Sequence, residues 1–158
     1  KPVIGPYHVN AEGSSDMYFK GSLMLHTLRS LIEDDALWFE IIKGIANEFK
    51  HQTIDGQAII SYINEKSGKD FTEFFNQYLK NKEIPEFQYK FQKEGRNTTL
   101  LYRWEAIPNF DMPILINTGR KDFWIYPNME WKEQDLGGFD KYDFKVRNDL
   151  FFIDIKKQ

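Results

Sequence analysis

The sequence contains no cysteine in its 158 residues. That excludes a disulfide framework, a thiol nucleophile and any cysteine-ligated metal site. It also lacks an excess of one charge, with 21 basic residues against 24 acidic ones and a net charge of −3. Both signs are spread through the two halves, no basic face stands out, and a nucleic-acid partner is not expected. No apolar run approaches the roughly 18 residues needed to cross a bilayer, so no membrane-spanning segment is expected. The opening Lys1-Pro2-Val3-Ile4-Gly5 is not a secretory signal.

Aromatic residues are plentiful. They make up 16% of the chain, including 14 Phe and 8 Tyr, within a hydrophobic content of 41%. This is material for a packed core, and disorder is not expected. The first half has helical periodicity. Ser14-Ser15-Asp16 can cap a helix whose inward stripe is expected to be Met17, Gly21, Leu25, Leu28 and Ile32. A second helix opens at Asp34-Asp35 and should bury Trp38, Ile41, Ile45 and Phe49. Thr53 offers a third cap, ahead of Ile59, Ile60 and Ile63, and Gly68 is placed to end that helix in a left-handed conformation. Asp70-Phe71-Thr72-Glu73 resembles a capping box before Phe74, Phe75, Tyr78 and Leu79.

After Pro85 the apolar period drops to two. Phe87, Tyr89 and Phe91 alternate with polar residues, Glu94-Gly95-Arg96-Asn97 makes a turn, and Leu100, Tyr102 and Trp104 alternate on the return. Further short strands are expected at residues 114–116, 123–126, 142–146 and 151–155. The pattern predicts an α+β chain in two parts: a helical segment over residues 1–83 and a small antiparallel β-sandwich over residues 84–158.

One short segment invites a chemical reading. Asp16-Met17-Tyr18-Phe19-Lys20-Gly21 is followed by the leucine-rich stretch from Leu23 to Leu31, then by Ser67-Gly68-Lys69-Asp70 ahead of Phe74-Phe75 and Tyr78. This succession resembles the aminopeptidase N family of zinc metallopeptidases (peptidase family M-one, gluzincins). Trp104, Met112-Pro113 and Phe151 extend the likeness into the strands. The resemblance implies that the helical half is the end of a thermolysin-like catalytic domain, and that the intact parent removes N-terminal residues from peptides with one zinc ion. Tyr18 would then be catalytic, its phenol donating to the oxyanion that develops when water attacks the peptide carbonyl. A phenol keeps its proton near neutral pH, and a helix start is a stiff place from which to aim it. Lys20 is expected to be a solvated or paired side chain. Gly21 is expected to permit close helix packing.

The family's metal site needs His-Glu-x-x-His on a helix, with a further Glu downstream. Here the only histidines are His8, His26 and His51, without that spacing, and the Gly-x-Met-Glu-Asn segment that grips a substrate's amino terminus is missing too. The resemblance therefore implies truncation within the catalytic domain: a piece with no metal ligands, binding no zinc and inactive alone. Bacterial relatives are often exported, which suggests a periplasmic or cell-envelope parent.

Other candidates have plainer readings. His26, beside the first helix's apolar stripe, is expected to be a hydrogen-bonded structural residue, and His8 a loop residue that could also border a substrate cleft. Asp34-Asp35 reads as a cap rather than a carboxylate pair, and Asp140, Asp143 and Asp149 as turn residues rather than a calcium site. Trp104, Trp124 and Trp131 read as core, with glycan stacking the alternative. Two rival functions remain open: a non-catalytic scaffold or interaction protein with a degenerate peptidase fold, and a glycan-binding module on the sandwich.

Overall fold

The computed structural model describes residues 1–5, 8, 14–138 and 143–158. Helices fill the first half: α1 (Asp16–Ile32), α2 (Asp35–Glu48), α3 (Gly56–Ser67) and α4 (Thr72–Phe75), the last widening into a π-helical turn over Asn76–Lys80. Seven strands follow: β1 (Glu86–Glu94), β2 (Asn97–Glu105), β3 (Ile114–Asn117), β4 (Asp122–Ile125), β5 (Lys132–Asp135), β6 (Lys145–Val146) and β7 (Asp154–Lys157). The chain is α+β. No helix among the described residues is long and apolar enough to cross a membrane.

The helix ends follow from local chemistry. Asp34 caps α2 by accepting from the Leu37 amide at 2.9 Å. α3 is capped by Asp55, which accepts from Ala58 at 2.9 Å, and not by Thr53: the carboxylate lies closer to the first free amides and satisfies one of them. Gly68 ends α3 at φ +68°, the left-handed position where a Cβ would be strained. The expected capping box at α4 does not close. Asp70 instead accepts from the Thr72 amide and from Asn64 Nδ2, while Asn64 Oδ1 accepts from the Phe71 amide. The α3–α4 turn is thus tied to the body of α3.

The buried face of α1 differs from expectation. Lys20, Met24, Thr27, Leu28, Leu31 and Ile32 point inward, whereas Met17 and Leu25 are exposed. Apolar residues surround this helix on nearly every side, so its sequence admits more than one stripe, and packing against the β half selects one.

β1 and β2 pair antiparallel with Glu94 opposite Asn97, leaving Gly95-Arg96 as a two-residue loop. Gly95 supplies the positive φ that such a tight hairpin requires. The first sheet runs β5-β2-β1-β7 and the second β4-β3-β6. β5 had no sequence signal. β7 pairs parallel to β1, so the first sheet is mixed. The strand expected over residues 151–155 begins only at Asp154, and Phe151 is buried outside it. The expected start of β6 at Tyr142 lies outside the described residues.

One apolar core unites helices and strands, from Leu28, Ile41 and Tyr78 to Phe87, Trp104 and Ile116. Side chains of the helical half also hold backbone of the β half. Thr27 Oγ1 accepts from the Phe152 amide at 2.9 Å, and the Tyr78 hydroxyl donates to the Phe152 carbonyl at 2.7 Å. Gln77 Oε1 accepts from the Ile107 amide at 2.9 Å.

Candidate functional site

Tyr18 lies in the first turn of α1, with 72% of its surface exposed. Its amide is bonded to the Ser15 carbonyl at 3.0 Å, which fixes the backbone. Among the described residues its phenol has no hydrogen-bond partner.

What holds that turn down is Lys20. Two residues on a helix are separated by about 200°, so Lys20 points to the side opposite Tyr18. It is not a solvated residue. It is buried, and its ammonium donates to the carbonyls of Asn81 at 2.5 Å and Lys82 at 3.2 Å, just beyond the π-helical turn. Burial lowers its pKa, against the opposing pull of Asp16 and Glu83. The sequence held a signal for this: Lys20 shares one helix face with Met24, Thr27, Leu28 and Leu31. Gly21 needs correction as well. A Cβ built there would meet nothing within 4 Å, so no close packing requires glycine. The close approach is at Gly44 of α2, where a Cβ would lie 1.9 Å from the Tyr62 hydroxyl of α3.

The Ser67-Gly68-Lys69-Asp70 segment has a structural role. Besides turning α3 into α4, it sends Lys69 Nζ to the Leu31 carbonyl at 2.6 Å, securing the far end of α1. Phe74 packs edge-on to Phe75 at 5.4 Å and against Tyr78 at 4.7 Å. The motifs flanking Tyr18 thus build the frame that carries its helix.

His26 is exposed on α1, and its Nε2 lies 3.0 Å from the Asp149 carbonyl, a structural link to the β half. His8 is exposed at φ +62°, and most of its loop lies outside the described residues. Asp35 pairs with Arg29 through two bonds of 2.8 Å, which lower its pKa. Arg147 bridges Asp149 and Asp122, while Asp140 lies outside the described residues. Trp104 is fully buried and donates to the Met112 carbonyl at 2.8 Å, leaving no face for a sugar. Trp131 is covered by Lys90 and Arg103, at 4.6 and 4.9 Å from its ring centre. Among the described residues no three His, Cys, Asp or Glu side chains gather where they could hold a metal ion.

The backbone has a counterpart of known function. Superposed on the crystal structure of Legionella pneumophila aminopeptidase A in complex with aspartic acid, it gives a TM-score of 0.71 over 92% of this chain, at 16% identity. The chain has the fold of that segment of the enzyme. The segment amounts to 18% of the aminopeptidase's length. No family model and no curated protein matches the sequence.

Proposed function

We propose that this chain is the closing part of a gluzincin catalytic domain and the small β domain after it, within a zinc metallo-aminopeptidase of the aminopeptidase N type, with the division near residues 82–86. In that reading Tyr18 is a catalytic donor. As a peptide carbonyl goes tetrahedral its oxygen gains charge, and a phenol held at hydrogen-bonding distance binds it more tightly than the ground-state carbonyl. The zinc and the residues that hold it would have to come from elsewhere in the intact protein, and this chain alone is inactive.

The carrying observation is the exposed phenol of Tyr18, without a hydrogen-bond partner among the described residues and presented by a helix turn that Lys20 anchors from behind. Two others support it. The fold likeness to an aminopeptidase spans nearly the whole chain. Phe19, Leu23 and Leu25 of α1 and Phe39 and Ile42 of α2 are large apolar side chains left exposed, which further polypeptide could cover.

The test is Tyr18→Phe in the intact protein. It should lower kcat about 100- to 1,000-fold with little change in KM and an unaltered circular dichroism spectrum. Unchanged turnover, or a loss that tracks unfolding, would refute the role. A full-length sequence without His-Glu-x-x-His would remove the zinc peptidase reading altogether.

A further inference from the structure

At the other end of α1, about 20 Å from Tyr18 by helical rise, a cavity of about 320 Å³ opens between the helices and the β half. That volume is near the lower limit for ligand pockets, enough for one side chain and its adjoining backbone. Phe71, Phe74 and Met112 form its buried apolar floor. Trp124 and Tyr126 stand at one side, and Tyr126 is 62% exposed.

Three carboxylates also line it: Glu33, Asp70 and Asp111. Among the described residues that line it the one cation is Lys69, which gives one of its three N–H groups to the Leu31 carbonyl, and three carboxylates against a single ammonium leave a surplus of negative charge. Hydrogen bonds from Thr72 and Asn64 hold the Asp70 carboxyl below its ordinary pKa and keep it ionised. Glu33 occupies a left-handed position at φ +60° just past α1, where glycine is usual, so its backbone is strained. From there its carboxylate accepts from Trp124 Nε1 at 3.0 Å across the gap, fixing the indole.

We infer that this cavity binds the cationic side chain of a peptide, a lysyl or arginyl group whose apolar stem lies on the Phe71–Met112 floor and whose charge meets the carboxylates. Trp124 and Tyr126 add the electron-rich faces that attract organic cations. An anionic guest would face three carboxylates against the single ammonium of Lys69. The inference goes beyond the peptidase reading and does not rest on it.

The test follows the Trp124 indole N–H resonance, assigned by its disappearance in Trp124→Phe, as blocked single amino acids are added to the 158-residue chain. Nα-acetyl-lysine and Nα-acetyl-arginine methylamides should bind with Kd about 1 mM. The norleucine and glutamate counterparts should bind at least about ten-fold more weakly. Tyr126→Ala and Glu33→Gln should each weaken the cations about five-fold. Both side chains are at the surface, and glutamine keeps an oxygen for Trp124, so the fold survives. Equal binding by norleucine, shifts centred away from Trp124, or no shift at about 50 mM cation would each overturn the inference.

Discussion

Replacing Thr27 with valine should loosen the joint between the helical and β halves, and the size of the loss can be worked from two hydrogen bonds. Thr27 is fully buried. Its hydroxyl donates to the Leu23 carbonyl at 2.9 Å and accepts from the Phe152 amide at 2.9 Å. Valine keeps the shape and removes both bonds. The Leu23 carbonyl retains its helical partner, so losing the hydroxyl there costs little. The Phe152 amide has no such substitute, and an unsatisfied donor in a partly buried position costs about 1–3 kcal/mol. The added methyl returns at most about 0.8 kcal/mol. A net loss of about 1.5 kcal/mol follows, which for 158 residues lowers Tm by about 4–5 °C. Tyr78→Phe removes the bond to the Phe152 carbonyl and should cost about 1 kcal/mol. Because both side chains hold one residue, the double variant should lose less than the sum, by about 0.5 kcal/mol or more. Urea unfolding followed by circular dichroism and tryptophan fluorescence measures all three. A Thr27→Val loss below about 0.5 kcal/mol, or strict additivity, would refute the joint as described.

Gly44→Ala should destabilise by about 1 kcal/mol despite alanine's helix preference, because its Cβ would strike the Tyr62 hydroxyl. In a Tyr62→Phe background the same change should be nearly neutral, and thermal unfolding of the four proteins decides. Alkaline pH should also weaken the fold. Burial raises the phenol pKa of Tyr78, and also those of Tyr89 and Tyr102. The unfolded phenols ionise near pH 10 while the folded ones resist. Stability is therefore complete below about pH 10 and falls as pH rises, by about 1.4 kcal/mol per unit for a fully protected group. Tyr78→Phe should flatten that decline. Tyrosinate absorbance recorded with circular dichroism is the check, and ionisation of Tyr78 without loss of structure would contradict it.

Much of the fold could be read from residue patterns. The β1–β2 hairpin was legible because Phe87, Leu100, Tyr102 and Trp104 alternate on each side of a Gly95 turn. Gly68 and Asp34 marked helix ends because a left-handed residue and a capping carboxylate are local requirements. The face of α1 was less legible. Met17, Leu25 and Lys20 all departed from their expected positions because apolar residues surround the helix. β5 was missed because Lys132, Glu133, Gln134 and Asp135 are held by the β2 backbone and not by any apolar face of their own. Tyr18 could be singled out only by resemblance. Its exposure, the lysine behind it, and the Glu33–Trp124 contact belong to the folded chain.

The sequence by itself determined the α+β order, the hairpin register and several helix ends, since each depends on residues within a few positions of one another. Tertiary structure decided which face of α1 is buried, where Lys20 sends its charge, how β7 lies parallel to β1, and which carboxylates meet Trp124. Those outcomes join residues as far apart as Glu33 and Trp124 or Thr27 and Phe152. They depend on which competing apolar surface finds the better-packed partner, a choice that no local spacing encodes.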